Sequence, residues 1–528
     1  MLIHETVTRT AERRPNGVAL VGSGETLTYE QLDGRGNSIG RLLKASGCKK
    51  GDRVGLLLPK STRAIAAMLG SLKAGAMYVP MDLASPAARL RKIVDASDPA
   101  FILAARSAVP LLNALCASGT ERRAIRVGWL DSSEPPDSSF EIAFRWADVM
   151  NSSTSEVACE SRADDVAHLL FTSGSTGVPK GVAITHANVT HFLTWATSYF
   201  GTAETDRISC HPPLHFDLST FDIYGTFLAG AELHLVPPEV SLLPHKVADF
   251  IRERNLTQWF SVPAVLKYMA QFDVVRHGDF PSLKRVLWCG EALPTPTLRH
   301  WMQRLDNVQF TNLYGPTETT IASSYYTVPF CPESDTADIP IGTACEGEEL
   351  VVLDENLRPA PAGEIGELYI RGVGLSPGYW RDPEKTRSVF LTDDRGGRMY
   401  KTGDLARVDE DRLFYILGRA DSQIKSRGYR IELGEIETAI HSLSTVRECA
   451  VVAIPTDGFE GNAICCAYVT PPGVDLSPLE LRDRLTQLLP PYMLPSRWLA
   501  FGALPLNGNG KIDRGCLKEQ FRSAAATA

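Results

Sequence analysis

The sequence lacks the marks of several protein classes. Its eleven cysteines are odd in number and contain no Cys-x-x-Cys pair, which argues against a zinc ribbon and against a disulfide framework, so they read as reduced thiols. No apolar run approaches the roughly 18 residues of a membrane-spanning helix. The amino terminus, Met1-Leu-Ile-His-Glu-Thr6, has no basic region followed by an apolar stretch. A basic excess is missing too. Lys and Arg number 54 against 62 Asp and Glu, a formal charge of −8, which leaves nothing to neutralise a phosphate backbone. No internal repeat or homopolymer tract is evident. These absences lead to the expectation of a cytoplasmic protein that binds neither nucleic acid nor membrane.

What is present is ordinary globular composition, with 44% hydrophobic and 22% charged residues over 528 positions, enough for two to four folding units. The apolar run from Val54 to Leu58 predicts a buried strand. Ser61 then predicts an N-cap, followed by Ile65, Met68, Leu69 and Leu72 at helical spacing. A short strand at Tyr78-Val-Pro80, a helix over 86–97 and a strand at Phe101-Ile-Leu103 complete a βαβαβ rhythm, the pattern of a parallel, doubly wound sheet. The stretch 105–165, rich in Ser, Asp and Pro, predicts loops and edge strands. From Glu364 the pattern shifts to period two, in Gly366-Glu-Leu-Tyr-Ile-Arg371 and Arg412-Leu-Phe-Tyr-Ile-Leu417, which predicts an antiparallel, barrel-like piece. After Arg419 the order reads strand (423–430), helix (433–443), two strands (449–454 and 463–469), helix (478–488), strand (498–501), turn and helix, a compact α+β unit.

One loop has a chemistry of its own. Leu169-Leu-Phe-Thr-Ser-Gly-Ser-Thr-Gly-Val-Pro-Lys-Gly181 runs an apolar strand into glycines, hydroxyls and one lysine. Backbone N–H groups freed by glycine, the hydroxyls of Thr172, Ser173, Ser175 and Thr176, the close approach allowed by Gly174 and the charge of Lys180 can surround a polyanion, and phosphate is the natural tenant. The string is not a Walker A loop, because Pro179 precedes the lysine and Gly181 follows it.

Here the sequence resembles the adenylate-forming enzymes, the family of acyl-CoA synthetases, firefly luciferase and nonribosomal peptide synthetase adenylation domains. Further family motifs follow in order: Tyr314-Gly-Pro-Thr-Glu-Thr-Thr320, Gly366-Glu-Leu-Tyr-Ile-Arg-Gly372, Tyr400-Lys-Thr-Gly-Asp404, Gly418-Arg-Ala-Asp-Ser-Gln-Ile-Lys-Ser-Arg-Gly-Tyr-Arg430, Leu489-Pro-Pro-Tyr-Met-Leu-Pro495 and Asn507-Gly-Asn-Gly-Lys-Ile-Asp513. The resemblance implies an α/β fold with a large N-terminal domain, residues 1–420, of two doubly wound α/β sheets plus a distorted β-barrel. It also implies a small mobile α+β C-terminal domain, residues 421–528, that carries a catalytic lysine.

The implied reaction is attack of a carboxylate on the α-phosphorus of ATP, giving an acyl-adenylate and pyrophosphate. Such chemistry needs charge neutralisation, alignment and a metal more than a covalent nucleophile. The resemblance assigns Mg²⁺ binding to Glu318, a phosphate contact to Thr317, adenine stacking to Tyr314 beside Gly315, and the edge of the base to Gly290, Glu291 and Ala292. Asp404 and Arg419 are assigned to the ribose. Lys511, at the tip of an Asn-Gly-Asn-Gly turn, is implied to bridge the substrate carboxylate and the α-phosphate. Asp421 is implied to be the hinge about which the small domain turns.

His215-Phe-Asp-Leu-Ser219 separates the branches of this family. Asp217 stands where amino-acid-activating members keep a carboxylate for the substrate ammonium, and a buried carboxylate with no such partner is costly. The remaining pocket positions carried over from the family, Leu218, Phe221, Phe260, Leu287, Cys289, Leu313, Ile321 and Ala322, form an apolar wall that predicts a small to medium hydrocarbon side chain. The pattern resembles stand-alone L-proline adenylating enzymes that load a carrier protein, and proline's ammonium has only two N–H donors to satisfy. Asp222 is expected to be structural. About 15 residues follow Asp513, so the acceptor thiol is expected on the phosphopantetheine arm of a separate carrier protein. Another small apolar amino acid, or an acyl or aryl acid with free CoA as acceptor, is the alternative reading, and a non-catalytic relative would be expected to have lost Lys511, Glu318 or Asp404.

Overall fold

The computed structural model describes the chain except residues 118–124, 137–139, 175–176, 394–395, 457–460, 472, 475, 509–510 and 527–528. It divides into two units. The larger holds Met1–Leu83, Ala96–Leu170 and Gly181–Ala420, and the smaller holds Ala84–Asp95, Phe171–Lys180 and Asp421–Ala528.

Two α/β sheets and an antiparallel sheet build the larger unit. The nine-stranded sheet runs Thr343–Ala344, Ser324–Thr327, Gln309–Tyr314, Arg285–Cys289, Gln258–Ser261, Arg207–Cys210, Glu232–Leu235, Val18–Gly22 and Glu25–Thr28. Its six central strands pair in parallel and its edges are antiparallel. Arg285–Cys289 is buried at every position, as expected of a strand covered on both faces. The eight-stranded sheet is centred on Arg53–Leu57, Met77–Pro80 and Phe101–Ala104, the predicted βαβαβ run. Between its first two strands lies helix Thr62–Lys73, where the Ser61 side chain accepts from the Ala64 N–H as N-cap. The third sheet is antiparallel, and its pairing sets Asp404 directly opposite Arg419.

Within the smaller unit, strands Glu448–Pro455, Asn462–Val469 and Arg497–Ala500 form a sheet. Cys449, Val451 and Ala453 face one buried cluster while Ala450, Val452 and Ile454 face another. The period of two thus buries both faces, which is why these strands read as unbroken apolar runs.

Two expectations need correction. Residues 423–430 are not one strand but the start of a hairpin, Gln423–Ser426 with Tyr429–Glu432, reversed at Arg427 and Gly428, both at positive φ. The stretch 105–165 holds helices Val109–Cys116 and Trp146–Asn151 as well as strand Arg126–Trp129 and the edge strand Glu141–Arg145. Its polar composition follows from its place at the sheet edge.

Candidate active site

The parallel strands of the nine-stranded sheet end on one edge, where ligands of open α/β sheets gather. Gly290-Glu-Ala292 leaves the end of Arg285–Cys289, Gly315-Pro-Thr-Glu318 leaves the end of Gln309–Tyr314, and His215-Phe-Asp217 follows Arg207–Cys210. Lys60 secures the last of these connections, donating to the carbonyls of Cys210 and His211, both at 2.8 Å.

The turn after Tyr314 is compressed and strained. A Cβ on Gly315 would lie 2.6 Å from the Cα of Ala322, so glycine is needed for the chain to fold back on itself. Thr320 and Ile321 sit at φ 63° and 71°, which for β-branched residues costs about 1–3 kcal/mol each. Neighbours hold the shape: the Ser323 N–H donates to the Tyr314 carbonyl at 2.7 Å, and the Ser376 N–H donates to the Glu318 carbonyl at 2.9 Å.

Four of the residues assigned to nucleotide and metal meet around this turn. The Tyr314 hydroxyl donates to Asp404 Oδ2 at 2.5 Å, and Arg419 Nη1 donates to Asp404 Oδ1 at 2.7 Å. Burial, then the neighbouring Asp404 carboxylate, push the Tyr314 phenol well above its usual range. Glu318 is fully buried, and its Oε1 accepts from the Tyr379 hydroxyl at 2.7 Å.

The residues assigned to the acyl pocket are apolar apart from Asp217. Leu218, Phe221, Phe260, Leu287, Cys289, Leu313, Ile321 and Ala322 all belong to one buried cluster, and Phe221 meets Phe260 edge-on at 5.9 Å between ring centres. Burial pushes the Asp217 carboxyl up to about 6, helped by the Glu318 charge and opposed by hydrogen bonds from the Thr317 hydroxyl and the Leu218 N–H. Asp222 is buried, and neither of its carboxylate oxygens has a hydrogen-bond partner among the described residues. Burial raises its carboxyl well above the ordinary range, against the opposing charge of Lys60.

In the smaller unit, three of the groups expected to meet phosphate are engaged by protein. Ser173 Oγ donates to the Arg430 carbonyl at 2.7 Å, the Gly174 N–H donates to Glu435 Oε2 at 3.3 Å, and Lys180 Nζ lies 3.7 Å from Glu432 Oε1. Thr172 ends strand Val166–Thr172. Ser175 and Thr176 lie outside the described residues. Lys511 is exposed on a turn closed by Asn507, whose N–H donates to the Lys511 carbonyl at 2.7 Å and whose side chain accepts from the Lys511 N–H at 3.1 Å. Asp421 opens the last segment of the smaller unit and accepts from the Gln423 N–H at 3.1 Å.

Sequence reasoning missed Tyr379 and Glu348. Tyr379 lies 61 residues from Glu318, and no spacing links the two. Glu348 reaches the Glu318 turn only because strand Glu348–Leu353 pairs with Gly366–Gly372, setting Glu348 opposite Gly372.

Similarity to known proteins agrees with this geometry. The AMP-binding enzyme profile matches residues 7–380, and the AMP-binding enzyme C-terminal domain profile matches residues 435–511. The chain is 34% identical over 520 residues to an L-proline--[L-prolyl-carrier protein] ligase of Pseudomonas fluorescens, covering 98% of this chain and 99% of that protein. It is 32% identical to tyrocidine synthase 1 of Brevibacillus parabrevis over 98% of this chain, but spans only 45% of that protein. Its fold superposes with a TM-score of 0.85, at 27% identity, on the Vibrio cholerae adenylation domain AlmE solved with glycyl-adenosine-5'-phosphate, covering 99% of this chain and 98% of that one. With profile matches over most of its length and the motifs in order, the chain belongs to the AMP-binding enzyme family, the adenylate-forming enzymes.

Proposed function

We propose that the protein activates an amino acid, best L-proline, as its adenylate and passes it to the phosphopantetheine thiol of a separate carrier protein. The observation that carries this reading is Asp217, a carboxylate immediately before Leu218 of the apolar cluster that also holds Phe221, Phe260, Cys289 and Ala322. An ammonium group entering there meets its countercharge, whereas a simple acyl or aryl acid leaves the carboxylate desolvated and unpaired. The match over nearly the whole chain to an L-proline--[L-prolyl-carrier protein] ligase supports proline.

In this reading Asp404 and Arg419 hold the ribose, Tyr314 lies on adenine with Gly290, Glu291 and Ala292 along its edge, and Thr317 bonds a phosphate oxygen. The loop from Thr172 to Lys180 surrounds the outer phosphates. Lys511 supplies positive charge to the substrate carboxylate and the α-phosphate, so that the carboxylate oxygen attacks phosphorus as pyrophosphate leaves. Among the described residues no group of three or more His, Cys, Asp or Glu forms a metal cluster. A buried carboxylate such as Glu318 is the hard donor that Mg²⁺ accepts when phosphate oxygens complete its shell, and when bound the ion neutralises charge on the phosphates. Asp421 serves as hinge between residues 1–420 and 421–528. No helix among the described residues is long and apolar enough to cross a membrane, in keeping with the proposed cytoplasmic setting.

The test is trapping and transfer. With ATP, Mg²⁺ and L-proline, hydroxylamine should capture prolyl hydroxamate, and a holo carrier protein should gain the mass of one prolyl group while its apo form gains none. Consumption of free CoA with a simple carboxylic acid, and no amino acid hydroxamate, would instead favour the acyl-CoA ligase reading.

A further inference from the structure

A chain of hydrogen bonds joins Glu348 to the strained turn. Glu348 Oε1 accepts from the Gly374 N–H at 2.7 Å, and the Gly374 carbonyl accepts from Thr320 Oγ1 at 2.7 Å. Thr320 is the first of the two positive-φ residues, and it stands between Glu318 and the wall residues Ile321 and Ala322. Space is reserved for the carboxyl: a Cβ on Gly374 would lie 2.7 Å from Glu348 Oε1, and one on Gly372 would lie 2.7 Å from Oε2. Asn188 steadies the same loop, donating to the carbonyls of Val373 and Leu375 at 2.7 and 3.2 Å. Glu348, Thr319, Thr320, Ala322 and Cys345 line a small crevice behind the turn, and the buried Glu348 Oε2 has no hydrogen-bond partner among the described residues. An acidic side chain held in that setting is costly unless its carboxyl does something an apolar residue would not.

We infer that Glu348 is a positioning residue: through Gly374 and Thr320 it holds the turn that aims Glu318 at one end and shapes the acyl wall with Ile321 and Ala322 at the other. The inference rests on the proposed adenylation reading, since it takes Glu318 and the wall to be the working parts. It makes the amino acid pocket depend on a residue that touches neither amino acid nor nucleotide. Burial pushes the Glu348 carboxyl up to about 7, so a neutral amide of the same shape should replace it well.

The experiment compares Glu348→Gln, Glu348→Ala and Thr320→Val in ATP–pyrophosphate exchange with the best amino acid, alongside calorimetric binding of AMP. Glu348→Ala should raise the amino acid KM and lower kcat together, a loss in kcat/KM of tenfold to roughly 10²-fold of the kind a small misplacement produces. Selectivity among small apolar amino acids should relax. AMP binding should stay unchanged, Glu348→Gln should remain within about threefold of the unsubstituted enzyme, and Thr320→Val should copy Glu348→Ala with no further loss in the double variant. Unchanged KM and selectivity in Glu348→Ala would overturn the inference. Loss of AMP binding in step with activity would also overturn it, in favour of a general structural role, as would a Gln variant as impaired as Ala. An unsubstituted enzyme that exchanges no amino acid would overturn the proposed function itself, a failure visible before any substitution is made.

Discussion

The turn that carries Glu318 and the turn that carries Lys511 are built in opposite ways. The first is buried, bent through two positive-φ residues and bonded at Glu318 by both backbone and side-chain partners. The second leaves Lys511 exposed and is closed by local bonds, from Asn507 to Lys511 and between Leu506 and Ile512. A site element set into a sheet edge cannot be altered without disturbing its neighbours, whereas one on a solvated turn can lose its side chain at little cost in stability. Function and stability should therefore separate at Lys511 and stay coupled at Glu318 and Tyr379.

The largest expected effect lies on the exposed side. Lys511→Ala should slow adenylate formation by about 10²–10³-fold, since one contact to developing charge is worth roughly 3–4 kcal/mol, with no change in melting temperature. Transfer from preformed aminoacyl-adenylate to the carrier should survive, and equal loss of both half-reactions would remove Lys511 from the first step alone. Next comes Asp217→Ala. Truncating one partner of a buried charge pair costs about 2–5 kcal/mol, so amino acid activation should fall by at least an order of magnitude while AMP binding measured by calorimetry holds. A variant that still activates proline normally would break the ammonium assignment.

On the buried side, Tyr379→Phe removes a hydrogen bond to a charged group worth about 1.5–3 kcal/mol. It should reduce exchange by roughly tenfold and lower the melting temperature as well, the coupling that Lys511 lacks. A Tyr379→Phe enzyme with full activity would show that Glu318 needs no support from that hydroxyl.

The smallest effects concern proton linkage at Asp217, whose carboxyl lies near 6 in the folded protein against an ordinary value of 3.8. Below pH 6 the substrate ammonium must displace a proton, so the apparent amino acid KM should rise toward tenfold per pH unit. Because the folded value is raised, the folded state holds this proton more tightly than the unfolded chain, and stability is lost as pH climbs from about 4 to 6. Asp217→Asn should therefore melt higher than the unsubstituted protein at pH 7.5, with the difference shrinking below pH 6 and gone by about pH 4. Equal melting temperatures at pH 7.5 would mean that the carboxylate is better solvated than its surroundings indicate.

The two turns also differed in how readable they were from sequence. Asn507-Gly-Asn-Gly510 announces a reversal by local chemistry alone, although Asn509 and Gly510 lie outside the described residues. The eight residues assigned to the acyl wall, from Leu218 to Ala322, were named through motif position alone, and all lie in one buried cluster. The supports of the Glu318 turn were not legible. Tyr379, Glu348 and Gly374 arrive through strand pairing and loop closure, which depend on register rather than on local spacing. The same limit explains residues 423–430, where Arg427-Gly428 breaks an otherwise strand-like run, and the segments Ala84–Asp95 and Phe171–Lys180, which group with the smaller unit though nothing in their composition marks them.

The most direct test of the central claim is ATP–pyrophosphate exchange across a panel of amino acids and simple carboxylic acids with the unsubstituted enzyme. Exchange should be fastest with L-proline, then methylproline or azetidine-2-carboxylate, with charged amino acids and plain acyl or aryl acids near background. Tenfold faster exchange with valine, leucine or an aromatic amino acid would discard proline and leave the chemistry standing. An acyl or aryl acid outpacing every amino acid would contradict the role given to Asp217 and, with it, amino acid activation.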